Sequence, residues 1–497
     1  MENRKKTKIV CTVSDQRCSV EFIQGLYERG MNVVRINSAH TTLDSSLNIV
    51  KNVRKVSDKI AIMIDTKGPE IRLTSQANES SFQINTGETI KICDNPKAIS
   101  SRDTLYTTYE NFVANMSVGT EILIDDGDVS LSVISKDEKT LFCKANNDGV
   151  IKGRKSVNVP GVSIELPSVS EKDKSFIIWA VENNIDFVAH SFVRSAKDLE
   201  EVQNIIDQHN GQLGIISKIE NQEGVDNIDE ILEHSYGIMV ARGDLGIEIP
   251  AERIPLIQKR IVNKCRRRKK PVIVATQMLH TMIANPRPTR AEISDVANAI
   301  FEYTDAVMLS GETANGRYPF ESVSTMSKIA FEIEKNHAPS LDIELKEISE
   351  PISVILAKTM VEASMKLPMK AIIIDTKSGR TGRYVSAFRP NIPVYVRCHS
   401  INVMRKMALS YGVFGATVII HGNSHDEEPV ENAPYAAVRE RDILHNTKER
   451  FFHDTCASLV SRDKVENDDL VGVIAGRFGY HTGASYVEIA TVKNLLG

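Results

Sequence analysis

A lysine and a glutamate close an apolar run near the middle of this 497-residue sequence. The run, GIISKIE at 214–220, predicts a β-strand, and alternate residues of a strand point to the same side. Lys218 and Glu220 therefore share one face. Burial of these two charges is costly unless they pair with each other or bind a charged partner. The spacing predicts either an internal ion pair or a site for a charged substrate.

Strand-like apolar runs of this type occur eight times and alternate with helical patterns. They lie at 8–13, 32–37, 60–65, 186–192, 214–220, 237–242, 271–276 and 305–310. Runs rich in valine and isoleucine that alternate with helices predict a parallel sheet covered by helices. Eight strands are the number that closes a TIM barrel, so we predict an α/β protein with a (β/α)8 barrel.

Seven of these runs end in polar residues, at the strand ends where barrel enzymes carry out their chemistry. These residues are Arg35, Asn37, Ser38, His40, Asp65, Thr66, Lys67, Ser191, Lys218, Glu220, Arg242, Gly243, Asp244, Thr276, Gln277, Ser310 and Glu312. Loop residues and helix caps would explain a single polar end. Seven polar ends at one mouth of a barrel indicate a reaction site.

Carboxylates and cations dominate this predicted mouth. Glu220 and Asp244 are hard oxygen donors, and two carboxylates with substrate oxygens and water suit Mg²⁺. Lys218 and Arg35 would neutralise a phosphate. A second group of oxygen-bearing residues suits a more weakly held cation: Asp65, Thr66, Asn37 and Ser38. Together these residues predict phosphoryl transfer, in which positioning and charge neutralisation supply most of the catalysis.

The stretch between 65 and 186 is too long for one crossover helix. Its short alternating runs, with turn signals at 126–128 and 147–149, predict a small antiparallel β domain inserted after the third strand. Such an insertion projects over the barrel mouth as a lid. After about residue 337, further strand-like runs at 371–376, 393–398, 416–421 and 469–476 predict an open α/β sheet. The predicted domains are a barrel at 1–69 and 168–337, a lid at 70–167 and a C-terminal domain at 338–497.

The overall charge and hydropathy exclude some classes of partner. A net charge of −4 gives no general attraction to nucleic acid, and no apolar stretch approaches the ~20 residues that a membrane span needs. We therefore predict neither partner. We interpret the basic run at 266–270 as the exposed end of a helix, where cations suit the dipole. Seven scattered cysteines fit reduced thiols in the cytoplasm.

Four motifs follow one another along the chain: IDTKGPEIR, ISKIEN, VARGDLGIEI and NPRPTRAE. With this combination the sequence resembles the pyruvate kinase family over essentially its full length. The resemblance implies transfer of a phosphoryl group from phosphoenolpyruvate to ADP, which gives pyruvate and ATP in glycolysis. It also implies an inserted β-barrel lid, a C-terminal regulatory α/β domain and assembly as a homotetramer.

The resemblance further implies roles for individual residues. The implied catalytic residues are Lys218, Arg35, Arg72 and Thr276. The implied substrate contacts are Arg35, Lys218, Gly243, Asp244 and Thr276. The implied metal ligands are Glu220 and Asp244 for Mg²⁺ or Mn²⁺, and Asn37, Asp65 and Thr66 for K⁺. The implied nucleotide contacts are Asn37, His40, Arg72 and, from the lid, Lys155.

Three positions bear on the cofactors and the nucleotide. Glu70 occupies a position where glutamate accompanies potassium dependence in the family, so K⁺ is expected. Ala39 replaces the usual potassium-binding serine, and the adjacent Ser38 would point to the other face. After the first strand, the family's Gly-Pro is replaced by Ser14 and Asp15, and Asp15 would repel phosphate.

A loop in the C-terminal region resembles the family's loop for a phosphorylated sugar effector such as fructose 1,6-bisphosphate. It consists of Thr376, Lys377, Ser378, Gly379, Arg380 and Thr381. Backbone N–H groups at a helix start, together with these hydroxyls, would cradle a phosphate. An ordinary strand-to-helix turn with a threonine cap is the alternative. The segment at 475–492 does not match the family's second effector loop.

Other functions are compatible with a barrel. Because the fold hosts many chemistries, an aldolase or carboxylase acting on pyruvate is an alternative, in which Lys218 would form a Schiff base. A non-catalytic sensor that uses the C-terminal loop is a further alternative. The complete set of Lys218, Glu220, Asp244 and Thr276 argues against that sensor.

Overall fold

The computed structural model describes residues 5–76, 81–162, 164, 166–418, 452–476 and 483–496. The chain begins with three parallel strands of the barrel: β1 (Lys8–Thr12), β2 (Val33–Asn37) and β3 (Ala61–Asp65). Eight inserted strands follow: β4 (Ser81–Ile84), β5 (Thr89–Cys93), β6 (Thr104–Tyr106), β7 (Glu121–Ile124), β8 (Val129–Lys136), β9 (Thr140–Ala145), β10 (Gly149–Lys152) and β11 (Val157–Asn158).

The chain then returns to the barrel with β12 (Phe187–His190), β13 (Gly214–Ile219), β14 (Gly237–Ala241), β15 (Val272–Ala275) and β16 (Ala306–Leu309). The eight strands close in the order β1-β16-β15-β14-β13-β12-β3-β2, and all their pairings are parallel. Each of the eight predicted runs contains one strand, so the predicted TIM barrel is confirmed.

Side chains that point inward fill the barrel. Val10, Met63, Phe187, Ile216 and Met239 belong to this inner core and are fully buried. Residues of one strand that are two apart share a face, so the inward position of Ile216 places residue 218 on the inner side near the mouth. Packing of the apolar side chains inside the barrel therefore determines which polar side chains at the strand ends point inward.

Helices cover the outside of the barrel and the C-terminal sheet. The α-helices are Val20–Glu28, Leu43–Val56, Phe112–Asn115, Glu171–Glu182, Ala196–Gln208, Gln222–Asp226, Ile228–His234, Arg242–Glu248, Ile254–Arg267, Arg290–Phe301, Gly311–Ala314, Pro319–Glu334, Pro351–Lys366, Arg380–Ala387, Ile401–Lys406, 452–460 and Val492–Leu496. Short 3-10 helices are Ser38–His40, Ala251–Arg253, His280–Ile283 and Met407–Leu409. In the described part of the chain, none of these helices combines the length and the apolar character needed to cross a bilayer.

The inserted strands form a six-stranded sheet, β11-β7-β8-β9-β5-β6, and a two-stranded sheet, β10-β4. Both sheets contribute to one apolar core, which includes Ile84, Ile92, Leu131 and Ile151. All pairs are antiparallel as predicted except β5 with β6, which are parallel. Short alternating runs predict strands but do not define the direction in which two neighbours pair.

The C-terminal region contains a second sheet of five strands in the order β19-β18-β17-β20-β21. The strands are β17 (Met369–Thr376), β18 (Val394–Cys398), β19 (Val413–Val418), β20 (Leu470–Gly476) and β21 (Ala484–Thr491). Four of them match predicted runs, although the end of the predicted run at 416–421 lies outside the described residues. The antiparallel edge strand β21 was missed, because its side chains are mostly exposed and carry a weak apolar signal. The predicted domain boundaries stay predictions.

A buried ion pair joins the barrel to the C-terminal sheet. Arg389 donates to both carboxylate oxygens of Asp305, each at 2.9 Å, and the two side chains are 2% and 5% exposed. Near this pair lies Arg266, which is only 7% exposed. The prediction that the basic run forms an exposed helix end is therefore wrong for Arg266. A helical pattern does not show that a second unit will pack over the end of the helix.

Replacement of Arg389 by methionine should destabilise the protein by about 3–5 kcal/mol, because it leaves Asp305 buried without its cation. Urea-induced unfolding measures the change. Lys366→Met is the control, because Lys366 is 71% exposed and its pair with Glu362 lies on the surface. Equal unfolding curves for the two variants would show that the buried pair contributes little.

Candidate active site

Lys218 lies near the end of β13 at the barrel mouth and is 9% exposed. Its ammonium lies 2.9 Å from Glu220 Oε1 and 3.2 Å from Asp65 Oδ1, and it donates to Ser191 Oγ at 2.7 Å. Burial by itself lowers the pKa of the ammonium, but Asp65 and Glu220 outweigh burial and raise that pKa above its ordinary value. Lys218 therefore remains a full positive charge in a site shielded from water.

Asp65 is the carboxylate that Lys218 shares with Arg35. Arg35 Nε lies 2.5 Å from Asp65 Oδ2, and Arg35 Nη1 donates to Thr12 Oγ1 at 3.0 Å. Although burial raises the pKa of Asp65, the two cations more than offset burial and lower that pKa. The ends of β2, β3 and β13 are thus joined by charges, with Asp65 at the centre, and a hydrogen bond from Arg35 connects β1 to them.

Glu220 follows β13 and is 1% exposed. Its Oε2 accepts a hydrogen bond from the backbone N–H of Phe192 at 2.7 Å, while Oε1 faces Lys218. Burial raises the pKa of Glu220 to about 7, Asp244 adds to the rise, and Lys218 opposes it. Asp244 lies in the first turn of Arg242–Glu248, within electrostatic reach of Glu220 and Lys218. Within the described part of the chain, the ion pair between Glu220 and Lys218 is the only one that these two carboxylates make.

The oxygen set at the mouth fits a divalent metal bound partly by substrate. In the described residues, no group of three or more His, Cys, Asp or Glu side chains forms a metal site. Mg²⁺ needs no such cage, since it is held by one or two carboxylates together with substrate oxygens and water. Two converging carboxylates with unbalanced charge, Glu220 and Asp244, are the donors that such an ion requires.

Thr276 directly follows β15 in a strained backbone conformation, with φ at +68°, and Gln277 has φ at +54°. A β-branched residue with positive φ is a true outlier, and strain of this kind is often found at functional sites.

The Thr276 hydroxyl accepts from Gly243 N–H at 2.7 Å and donates to Ala275 O at 2.6 Å. Arg242 donates to Thr276 O at 2.8 Å and pairs with Asp295 at 2.7 Å. These contacts hold Thr276 beside Gly243 and Asp244.

The three predicted potassium ligands are neighbours in the structure. Asn37 and Asp65 are partners in the register of β2 and β3. Asn37 Oδ1 accepts from Ala39 N–H at 3.1 Å, and Thr66 Oγ1 accepts from Ser191 N–H at 3.1 Å. Their oxygens are engaged locally, so a cation at this place would replace or share these contacts. Ser38 is fully buried, and its hydroxyl has no hydrogen-bond partner among the described residues.

The predicted nucleotide contacts are brought together only in part. A cavity of about 570 Å³ contains His40 and Arg72 together with Lys67, Ala39 and Arg154. Arg72 is held by Glu70, with Nε to Oε1 at 2.6 Å. Lys155 and Asn37 do not line this cavity, and Lys155 instead pairs with Asp125 of the lid at 2.8 Å. Asp15 is exposed and does not line this cavity. It also does not line the cavity that lies between the lid and the barrel.

A second cavity of about 510 Å³ separates the lid from the barrel. It reaches Asp244 and is walled by lid residues such as Val157 and by Phe192 and Glu248 of the barrel. The cavity places the carboxylate of Asp244 at the boundary between the reaction site and the lid. A substrate that enters between the two units would meet this carboxylate.

The predicted effector loop connects β17 to the helix Arg380–Ala387. Gly379 has φ at +76° and precedes the helix, and its N–H donates to Thr376 Oγ1 at 2.9 Å. A Cβ on Gly379 would lie 2.6 Å from the sulfur of Met407, so glycine is required here. Arg380 pairs with Glu350. Thr376 stabilises the turn, but the helix starts at Gly379 without a side-chain cap. Residues 477–482 of the second loop lie outside the described residues.

Two residues of the site had no predicted role. Ser191 accepts from Lys218 and donates to Thr66 O at 2.7 Å, and Arg242 supports Thr276. Both had been noted as polar strand ends, but only the contacts show what they hold. Glu312, another polar strand end, accepts from backbone N–H groups of Leu279 and Ser310 and is a structural cap.

The chain is similar to known proteins along most of its length. A family model described as pyruvate kinase, barrel domain, matches residues 4–323, and one described as pyruvate kinase, alpha/beta domain, matches 355–490. The chain belongs to the pyruvate kinase family. Its relatives in this family include a pyruvate kinase of Borreliella burgdorferi, 47% identical over 99% of this chain and 98% of the relative. A pyruvate kinase of Bacillus licheniformis is 45% identical over 86% of this chain and 74% of the relative.

A crystal structure of a pyruvate kinase from Cryptosporidium parvum matches with a TM-score of 0.85 and 33% identity. The match covers 99% of this chain and 96% of that one. Membership of the pyruvate kinase family confirms the predicted family, fold class and phosphotransferase function.

Ser191→Ala should lower kcat about tenfold to a hundredfold, the scale of one hydrogen bond to a charged group. The change removes the hydroxyl that the Lys218 ammonium contacts at 2.7 Å. A pyruvate-forming assay coupled to lactate dehydrogenase measures kcat. Ser217→Ala is the matched control, because Ser217 is also buried but its hydroxyl contacts Ser235 at 2.6 Å. Equal kcat values for both variants would remove Ser191 from the site.

Proposed function

We propose that the chain transfers the phosphoryl group of phosphoenolpyruvate to ADP, forming pyruvate and ATP, at the barrel mouth around Lys218. The observation that carries this proposal is the buried cluster in which Lys218 and Arg35 meet the carboxylates of Asp65 and Glu220. A site with concentrated, dehydrated cations stabilises the charge that develops on a phosphoryl group in flight. The cleft beside Asp244 gives access for a substrate.

Each residue has a distinct task in this reaction. An oxygen of the ADP β-phosphate attacks the phosphorus, and the bond from phosphorus to the enolpyruvate oxygen breaks. Lys218 and Arg35 hold the transferring group between the two oxygens, and Arg72 in the adjoining cavity clamps the nucleotide. The enolate then takes a proton at carbon, supported by Thr276 through water. The backbone of Gly243 and Asp244, held by Thr276, meets the substrate carboxylate.

Two cations complete the proposed site. Glu220 and Asp244 would hold Mg²⁺ or Mn²⁺, which supplies positive charge to the substrate oxygens when bound. Asn37, Asp65 and Thr66 would hold K⁺ through their side-chain oxygens. Glu70 lies between Lys67 and Arg72, which lowers its pKa despite partial burial, so it stays a carboxylate beside the nucleotide cavity.

The remaining nucleotide contacts, His40 and Lys155, are proposed to join when ADP binds. His40 already lines the cavity, and Lys155 would exchange Asp125 for a nucleotide phosphate.

The loop from Thr376 to Thr381 is proposed to bind a sugar-phosphate effector, supported by its glycine-dependent turn at a helix start. We also propose a cytoplasmic homotetramer. Two exposed apolar groups support assembly: Leu256 with Phe301 on the barrel, and Ile352 with Ile355 on the C-terminal unit.

An aldolase-type reaction is disfavoured by the charge state of Lys218. Schiff-base formation needs a neutral amine, whereas Asp65 and Glu220 raise the pKa of this ammonium. Borohydride treatment in the presence of pyruvate should therefore leave the protein without a covalent adduct.

Lys218→Met should reduce phosphoryl transfer at least ~10²–10³-fold, because it removes one preorganised charge. The coupled assay with phosphoenolpyruvate, ADP and Mg²⁺ measures the loss. Exchange of the pyruvate methyl protons with D₂O should survive better, since it does not need the lysine. Lys264→Met, which disturbs only an exposed pair with Asp229, is the control. Equal loss of transfer and exchange in Lys218→Met would refute this division of roles.

Replacement of K⁺ by Na⁺ at constant ionic strength should lower kcat about tenfold or more, which corresponds to a barrier raised by about 1.4 kcal/mol. The smaller ion would not satisfy the oxygens of Asn37, Asp65 and Thr66 at the same positions. The same coupled assay measures kcat, with excess coupling enzyme in both salts. Unchanged turnover in Na⁺ would contradict both the proposed K⁺ site and the role of Glu70.

A further inference from the structure

A narrow cleft lies between the barrel and the C-terminal sheet, at the end of the barrel strands opposite the mouth. Its walls carry five cations, Arg266, Lys269, Lys270, Arg383 and Arg389, and a single carboxylate, Asp305. Unpaired buried charge is costly, so an excess of one sign calls for a compensating partner.

Asp305 does not compensate this excess, because its oxygens are already engaged. Oδ1 accepts from Arg389 at 2.9 Å and from Tyr411 N–H at 3.0 Å. Oδ2 accepts from Arg389 at 2.9 Å and from Val272 N–H at 3.2 Å. The charge of Arg389 is therefore balanced by Asp305, whereas Arg266 has no carboxylate of its own among the described residues.

Arg266 is the cation with the clearest unmet requirement. It is 93% buried, and its guanidinium stacks on the ring of Tyr303 at 4.1 Å. Its Nε and Nη2 atoms have no hydrogen-bond partner among the described residues, and neither has the buried hydroxyl of Ser410. Burial and the nearby Arg389 lower the pKa of Arg266 to about 9. Three donors with no acceptor therefore line one cleft.

The two lysines donate to neutral backbone carbonyls, and the carboxylate that acts on them, that of Glu347, already pairs with Arg268. Lys270 donates to the backbone oxygens of Leu232, Glu233 and Ser235 at the end of Ile228–His234. Lys269 donates to Glu347 O at 2.9 Å. These carbonyls satisfy hydrogen bonds but supply no full negative charge, and burial lowers the pKa of Lys270 to about 8. Positive charge therefore accumulates around the orphaned donors.

The size of the cleft selects the occupant. About 10 Å³ is open to the centre of a water-sized sphere, so the space accommodates one water molecule or one small ion. A water molecule would accept hydrogen bonds but would leave the charge uncompensated. A phosphate ester is too large for this space. We propose that the cleft is a site for a single monovalent inorganic anion, chloride, that accepts from Arg266 and Ser410 and bridges the barrel to the C-terminal sheet.

Thermal unfolding in chloride and gluconate at constant ionic strength tests the proposal on the full-length protein. Chloride should raise the unfolding midpoint saturably, because it binds only the folded state. In Arg266→Met, the half-saturating chloride concentration should rise about tenfold or more, the scale of losing a charged donor. Arg267→Met is the matched control, because Arg267 is the next residue, is 35% exposed and pairs with Glu344 outside the cleft. It should keep the chloride dependence.

A crystal grown in bromide gives a second measurement that does not depend on any variant. An anomalous peak within hydrogen-bond distance of Arg266 and Ser410, together with saturable stabilisation, is the expected result. Absence of the peak means that water occupies the cleft and overturns the proposal. A peak without saturable stabilisation marks an adventitious ion only and also overturns it. If Arg266→Met does not fold, Ser410→Ala takes its place, with the same direction of shift and a smaller size.

Stabilisation by inorganic phosphate at the same concentrations as chloride would contradict the size argument and also overturn the proposal. None of these measurements uses catalytic activity. Failure of the proposed phosphoryl transfer would leave them unaffected, and their failure would leave the proposed function unaffected.

Discussion

The candidate active site depends on one carboxylate that holds two cations in a place from which water is largely excluded. Asp65 lies between Arg35 and Lys218, which would otherwise repel each other across the barrel mouth. Coulomb interactions are strong in such a low-dielectric setting, so the positions of these charges are well defined before any substrate arrives. The surrounding strands and the inner apolar core serve to keep this group of charges in register.

The same charges favour a phosphate that arrives together with a divalent metal. Two cations and the carboxylates of Asp65 and Glu220 nearly balance, with Asp244 close by as a further negative group. A phosphate together with a divalent metal adds charge of both signs and can preserve that balance. Preorganised charges need little rearrangement as the reaction proceeds, which is the main source of electrostatic catalysis. The strained backbone of Thr276 is preorganised in the same way, because several contacts maintain a conformation that the chain alone would avoid.

Much of the fold could be predicted from period and composition. The eight barrel strands are buried on both sides, so their apolar runs are nearly continuous and easy to recognise. The two-residue repeat of a strand predicted that the side chains of Lys218 and Glu220 lie on the same face. What escaped prediction depends on contacts between distant segments. The edge strand β21 has little apolar character, the parallel pairing of β5 with β6 has no local signature, and the burial of Arg266 results from packing of another unit. The roles of Ser191 and Arg242 likewise became clear only from their distances to Lys218 and Thr276 in the structure.

The attachment of the lid limits how it can move. Its outgoing segment leaves β3, and its returning segment enters the helix Glu171–Glu182. Asp173 in that helix accepts from Lys67 N–H at 2.8 Å and Gly68 N–H at 3.2 Å, so the two tethers are fastened to each other. They lie on one side of the barrel rim, where β3 and β12 are adjacent. Any rotation of the lid therefore has its axis on that side, and such a rotation would widen or narrow the cavity between the lid and the barrel that reaches Asp244.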